Sequence, residues 1–131
     1  MREITLRSER RTQLIDITDE VERALEGDDG SAALVFVPHT TAGVTINEHA
    51  DPAVARDFER ALERMVGDDW GWEHVEAGEE NAPSHIRSAL MGPQVVIPLE
   101  GGRLALGTWQ GIFFCEFDGP RSRRVLVSVL A

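Results

Sequence analysis

The apolar run at residues 32–37 constrains the fold of this 131-residue chain more than any other segment. Every side chain in AALVFV is apolar, so both faces of the segment require burial, whereas a half-buried strand would alternate apolar with polar residues. The run is short for a helix, and Pro38 follows it directly. We therefore predict a central β-strand that is covered on both faces and ends at Pro38-His39.

Further strands are indicated by alternating apolar and polar residues between turn-forming residues. These segments are residues 3–6, 13–17, 44–47, 94–98, 104–117 with an interruption near Gly107 or Gly111, and 124–130. Because strands outnumber helices and most can pair antiparallel with a neighbour, the predicted class is α+β. We expect one domain over residues 1–131, with a curved, mixed, mainly antiparallel β-sheet and two or three helices.

Three segments carry the signals of a helix start. Thr18, Asp51 and Ser84 are the predicted N-caps, because each precedes apolar residues at helical spacing. Asp51 is followed by a proline at the first helical position, which favours a helix further. Residues 68–80 show neither a helical nor a strand period and predict a long loop.

The charge of the chain limits its partners. A formal net charge of −10 disfavours nucleic acids and anionic membranes, because binding to both depends on basic side chains that neutralise phosphates. All thirteen basic residues are arginines, which excludes lysine nucleophiles but leaves guanidinium groups for anions. Cys115 is the only cysteine, and no apolar run approaches the roughly 18 residues of a membrane span. We expect a cytoplasmic protein.

Three histidines are candidates for chemistry. His39 follows the buried strand and precedes the hydroxyls of Thr40 and Thr41, so it is either a site residue or a turn histidine bonded to the backbone. His85 lies near the start of the third predicted helix, where it either ligates a metal or transfers a proton, or packs against the first turn. His74 lies beside two tryptophans in an acidic loop, which favours an exposed or packed side chain over a ligand.

The strand around Phe113 contains two polar residues that need an explanation. Alternation places Cys115 on the same face as Phe113 and Phe117, which favours a buried small side chain and leaves open a thiolate ligand for zinc beside the histidines. Glu116 lies on the other face, and a carboxylate in an apolar strand must meet an arginine, bind a ligand or be protonated.

Two turn segments could bind a ligand. Asp118 could hold Mg²⁺ and Arg121 could bind a phosphate at the end of the same strand. Thr108, Trp109 and Gln110 could hold a planar ligand, although Trp109 could equally be a core residue. We expect residues 38–48, 81–92 and 107–121 to build one shared site.

The motifs PHTTAGVTINE, NAPSHIRSALMG and GGRLALGTWQGIFFCEFDGPR occur here in one order over nearly the whole chain. In these motifs the sequence resembles the YjbQ-like proteins, also called uncharacterised protein family 0047. The resemblance implies a small α+β domain with a curved sheet, a homotrimer, and a weak thiamine-phosphate synthase activity. The residues that match the family pattern are His39, Thr40, Thr41, Asn47, Glu48, Asp51, His85, Thr108, Trp109, Gln110, Glu116, Asp118 and Arg121.

Three functions follow as alternatives. The first is a Mg²⁺-assisted thiamine-phosphate synthase, with metal on Asp118 or Glu116, phosphate on Arg121 and the threonine hydroxyls, and the ring on Trp109. His39 and His85 would carry protons. The second is a trimeric protein that binds a small phosphorylated or anionic metabolite. The third is a zinc-dependent hydrolase whose metal ligands are drawn from His39, His74, His85 and Cys115.

Overall fold

The apolar run at residues 32–37 forms an interior strand as predicted, but only one of its faces is fully covered: Ala33, Val35 and Val37 are buried, whereas Ala32, Leu34 and Phe36 are half-buried. The structure is a computed structural model and describes residues 1–75 and 80–131. Its strands are β1 (Arg2–Arg7), β2 (Gln13–Asp16), β3 (Ala32–Phe36), β4 (Ala42–Glu48), β5 (Gln94–Glu100), β6 (Arg103–Leu104), β7 (Gln110–Glu116) and β8 (Ser122–Leu130). Strand β3 lies between β8 and β5 in a five-stranded sheet of order β1-β8-β3-β5-β6.

A second sheet has three strands in the order β2-β7-β4. Ala42 of β4 lies opposite Glu116 of β7, and Glu48 lies opposite Gln110 at the other end of the pair. Every strand pairing among the described residues is antiparallel. The α+β class is confirmed, but in place of one mixed sheet the strands form two antiparallel sheets. The predicted strand 104–117 breaks into β6 and β7, which belong to different sheets.

The three helices are α1 (Thr18–Ala24), α2 (Pro52–Met65) and α3 (Ala82–Met91). Asp51 caps α2 as predicted, because its Oδ1 accepts a hydrogen bond from the amide of Ala53 at 2.9 Å. The other two predicted caps are wrong. Thr18 is the first residue of α1 and its hydroxyl accepts from the Ile112 amide, while Ser84 lies within α3 and donates to the Phe117 carbonyl.

Two apolar clusters fill the spaces between three layers, which are the five-stranded sheet, the three-stranded sheet and helix α2. The larger cluster lies between the two sheets and includes Val35, Val44, Phe114 and Val127. The smaller lies between β7 and α2, where Cys115 and neighbouring apolar side chains contact the helix. Both faces of β7 are therefore buried, which explains its almost unbroken apolar sequence.

The predicted loop at residues 68–80 contains no helix or strand over 68–75 and at Glu80, and its residues 76–79 lie outside the described part of the chain. Within the described part, no helix is long and apolar enough to cross a membrane. The longest, α2, has 14 residues.

Candidate functional site

A cavity of about 710 Å³ opens where β3 and β7 end and α3 begins; we call it the central pocket. It brings together residues from all three predicted segments. Its polar and charged lining residues are His39, Thr40, Thr41, His74, Asn81, His85, Asp118, Arg121 and Arg123, and Phe36, Val37, Pro38 and Pro93 supply the apolar wall.

His39 lies at the rim of this pocket because Pro38 ends the β3 segment directly before it. Its Nε2 accepts a hydrogen bond from the backbone amide of Arg124 on β8 at 3.1 Å. Partial burial and the charge of Arg123 lower the pKa of the ring, which favours the neutral form at pH 7. A neutral imidazole whose Nε2 accepts carries its proton on Nδ1, so His39 has one N–H donor left for a ligand.

Glu116 and Arg123 form a buried ion pair beneath this pocket. The Arg123 Nε lies 2.8 Å from Oε1, and Nη2 donates to Oε2 and to the Thr41 hydroxyl. Burial raises the pKa of Glu116, but hydrogen bonds from Arg123 and Ser8 outweigh that effect and lower it overall. Glu116 is fully buried and does not line the pocket. Of the alternatives left open for Glu116, the structure shows the pairing with an arginine, Arg123, and not a position among the residues that line the pocket.

The turn after β7 brings a carboxylate and a guanidinium to the mouth of the central pocket. The Arg121 Nη2 lies 3.0 Å from Asp118 Oδ2, and Arg121 Nε donates to the Asp118 carbonyl at 2.8 Å. Asn81 donates to the same Oδ2 at 2.8 Å, which ties the start of α3 to this turn. The Asn81 Oδ1 is buried and has no partner among the described residues. Such an unsatisfied buried acceptor is unusual and lies in a residue that lines the pocket.

His74 and His85 both line the pocket, and their rings are in edge-to-face contact. Their ring centroids are 5.4 Å apart and their planes are nearly perpendicular. His85 is the fourth residue of α3, and His74 comes from the loop after α2. This pairing brings into the site a histidine that its acidic, tryptophan-rich surroundings did not favour as functional.

Cys115 lies apart from the histidines. Its side chain is fully buried against Leu14, Leu62 and Phe113 under α2, and burial raises the pKa of its thiol. A protonated thiol in an apolar cluster is a packing residue. The structure therefore agrees with the favoured interpretation of Cys115 as a buried core residue over the zinc ligand that the sequence left open.

Five predicted ligand-binding residues lie at the opposite end of β4 and β7. These residues, which we call the distal patch, are Asn47, Glu48, Thr108, Trp109 and Gln110. The patch lies six residues along β4 from the pocket end, a separation of roughly 20 Å. Trp109 is 63% exposed, so it is not a core residue either. Within one chain, the predicted single site is therefore two separate groups.

The described residues do not form a ready metal centre. No group of three or more His, Cys, Asp and Glu side chains in residues 1–75 and 80–131 is arranged to hold an ion. One nitrogen of His39 is occupied by a backbone amide, and the Asp118 carboxylate is shared by Asn81 and Arg121. The zinc and magnesium sites expected from the sequence therefore stay predictions.

Asn81 and Arg123 are the site residues that sequence reasoning missed. A signal for Arg123 existed, because it occupies a buried position alternating with Val125 and Val127 on β8. A buried arginine and the buried Glu116 require each other. No comparable signal marked Asn81, whose role depends on the turn at Asp118, 37 residues away.

Comparison with known proteins shows similarity over the whole chain. A family model described as "UPF0047 protein YjbQ-like" matches residues 2–131. A UPF0047 protein from Archaeoglobus fulgidus is 46% identical over 128 residues, covering 98% of this chain and 99% of that protein. The UPF0047 protein YugU of Bacillus subtilis is 42% identical over 134 residues, covering 99% of this chain and 98% of that protein.

Solved structures agree with the fold. The crystal structure of a YjbQ/UPF0047 family protein from Clostridium acetobutylicum has a TM-score of 0.93 and 45% identity, covering 99% of this chain and 100% of that one. A conserved hypothetical protein from Thermus thermophilus has a TM-score of 0.89 and 36% identity, with 99% and 100% coverage. The sequence match and the shared fold together show that this chain belongs to the UPF0047, YjbQ-like family.

Proposed function

We propose that the central pocket binds a small phosphorylated metabolite. The observation that supports this most strongly is the convergence of three histidines and Arg121 around one cavity of about 710 Å³. Asp118 occupies Nε and Nη2 of Arg121, and a guanidinium has five N–H donors, so further donors are available to a phosphate. The exposed Thr40 lies beside them and adds a hydroxyl donor.

The imidazoles give this pocket a capacity for proton transfer. In its neutral form His39 presents Nδ1–H to a ligand oxygen, which suits binding better than proton abstraction. The ring of His85 has no hydrogen bond to a protein group in the described part of the chain, whereas its backbone amide donates to the Asn81 carbonyl. It is therefore our candidate for accepting or returning a proton, with the edge of His74 beside it.

A weak thiamine-phosphate synthase activity, implied by the resemblance, is the second candidate. The Asp118–Arg121 pair supports it, because departure of pyrophosphate requires charge neutralisation. A stacked pyrimidine would need Trp109, which lies in the distal patch. In a homotrimer, which we also propose, the distal patch of one copy could complete the central pocket of the next.

Calorimetric titration with thiazole phosphate tests the binding proposal. We expect saturable binding by the wild type and a loss of affinity of about tenfold or more for Arg121→Ala, because a charged hydrogen-bond donor to phosphate is removed. Arg103→Ala, which removes an exposed arginine from β6 outside the pocket, should bind like the wild type. Equal affinity of the wild type and Arg121→Ala would contradict the proposal.

A product assay with the wild type and His85→Ala distinguishes ligand binding from synthesis of thiamine phosphate. With pyrimidine pyrophosphate, thiazole phosphate and Mg²⁺ present, formation of thiamine phosphate by the wild type but not by His85→Ala would support the synthase. If the wild type binds thiazole phosphate yet makes no more product than His85→Ala, the synthase is excluded and the binding function stands.

A further inference from the structure

A second cavity, of about 590 Å³, lies on the other side of α3 from the central pocket; we call it the arginine pocket. Arg60 and Arg64 line it from α2, Arg87 from α3 and Arg11 from the segment between β1 and β2. Glu63 and Asp68 are its remaining lining residues. With four arginines and two acids, its formal charge is +2, in a chain whose net charge is −10.

Arg87 is the unusual member of this pocket, because its side chain is only 1% exposed. Its Nε donates to the Leu62 carbonyl at 3.2 Å, and Nη2 donates to the carbonyls of Glu63 and Val66 at the end of α2. Through these bonds, Nε and Nη2 of Arg87 cap the last carbonyls of α2. Its Nη1 has no hydrogen-bond partner among the described residues. A buried charged donor without a partner is costly, and an anion would satisfy it.

The carboxylates in this pocket neutralise Arg87 only in part. Asp68 is engaged by Arg11 through two hydrogen bonds of 3.1 and 2.8 Å, and its Oδ1 lies 3.7 Å from Nη2 of Arg87. Burial, followed by the charge of Arg11, lowers the pKa of Arg87. The charges of Asp68 and Glu63 act in the opposite direction but do not outweigh these two effects, so the counter-charge of Arg87 is partial.

Arg60 and Arg64 complete the cationic wall. They are four residues apart on α2, so their side chains lie on one face of the helix, and both are exposed. Within residues 1–75 and 80–131, neither forms a salt bridge. Attraction to the negative end of the helix explains why an arginine occupies position 64, in the last turn of α2. The same attraction does not explain Arg60, because it lies a full turn earlier.

We propose that the arginine pocket is a separate binding site for a multiply charged phosphate anion. One guanidinium group can bind two phosphate oxygens at once. Because Arg60, Arg64 and Arg87 line one cavity, they favour a ligand with several such oxygens. The cavity is larger than a single phosphate requires, which favours pyrophosphate or the polyphosphate end of a nucleotide. The function proposed for the central pocket does not depend on this site.

Titration of pyrophosphate into the Arg121→Ala protein tests this proposal, because that background removes the arginine that we assign to phosphate in the central pocket. We expect saturable binding that weakens by about tenfold or more when Arg60→Gln and Arg64→Gln are added. These exposed positions on α2 can be changed without disturbing the core. Arg56→Gln, which removes one positive charge from the same helix outside the pocket, should leave the affinity unchanged.

A spectroscopic readout locates the ligand. In ¹⁵N-labelled protein, pyrophosphate should shift the Nε–H signal of Arg87, which the hydrogen bond to Leu62 holds in place. Absence of saturable binding would overturn the proposal. It would equally be overturned if Arg56→Gln weakened binding as much as the double variant, because the attraction would then be diffuse charge on α2.

Discussion

Glu116 is completely buried and shares its carboxylate between Arg123, Ser8 and the backbone amides of Phe117 and Asp118. Such an arrangement satisfies both oxygens and leaves none for a ligand. The position of Glu116 in the family pattern is therefore explained by structure: it holds Arg123, and through Arg123 the Thr41 hydroxyl, beneath the central pocket.

Replacing Glu116 with leucine should lower the free energy of unfolding by roughly 3–5 kcal/mol, because Arg123 is then left buried without a counter-charge. Urea unfolding measures this loss. Adding Arg123→Met removes the unpaired charge and should recover most of it. A Glu116→Leu protein that is as stable as the wild type but fails to bind ligand would show that Glu116 acts in the site instead.

His39 should make stability depend on pH. Its folded-state pKa lies below the ordinary value of 6.5, so below about pH 6.5 the unfolded state takes up the proton first. The contribution of His39 is thus fully present above that pH and is lost as the pH falls towards the folded pKa.

Urea unfolding at several values between about pH 7.5 and pH 5 checks this dependence. In His39→Gln the side-chain oxygen can still accept from the Arg124 amide, but it cannot titrate. The wild type should therefore lose more stability on acidification than His39→Gln, and equal losses would contradict the assignment.

At the scale of elements, the close contact between α3 and β4 positions His85 and Asn81. Gly43 permits this contact: a Cβ there would lie 2.7 Å from the Gly92 carbonyl oxygen and 3.0 Å from the Met91 Cβ. The Ser88 hydroxyl also donates to the Ala42 carbonyl at 2.6 Å. The pocket thus depends on a glycine that touches no ligand.

Gly43→Ala should push α3 away from β4 and cost roughly 1–3 kcal/mol of stability, as other overpacked sites do. It should also weaken ligand binding, because His85 moves with the helix. Ala89→Ser, at an exposed position of α3, is the control and should change neither property. Unchanged stability and binding in Gly43→Ala would show that α3 is not held by this contact.

The sequence predicts most elements but not how they combine. The apolar run, the Asp51-Pro52 helix start and the α+β class are confirmed, because each depends on local pattern. The bond between His39 and Arg124 joins residues 85 positions apart, which no local pattern encodes. The distal patch was predictable in principle: β4 and β7 are antiparallel, so the start of one meets the end of the other.

At the scale of the whole molecule, the separation of the central pocket from the distal patch raises the question of how several chains assemble. In the homotrimer that we propose, a shared site requires the exposed Trp109 of one chain to lie against the central pocket of its neighbour, and a cyclic arrangement closes without free ends. We expect the two groups to act together only between chains.

Mixing Trp109→Ala with Arg121→Ala protein tests this arrangement. If the site is shared, randomly mixed trimers should recover about a quarter of the wild-type sites, because one neighbour supplies each intact group. Each variant alone should bind poorly. Failure to recover binding, once mass spectrometry shows that subunits exchange, would place complete sites within single chains.

The central claim is that the central pocket binds a phosphorylated ligand among its histidines. The chain has four histidines, of which three line the pocket and His49 pairs instead with Asp16 at 2.8 Å. Titrating thiazole phosphate into ¹⁵N-histidine-labelled protein should shift the ring signals of His39, His74 and His85 with one dissociation constant and leave His49 unmoved. Saturable binding that leaves those three signals unchanged, or that moves His49 alone, would contradict the account.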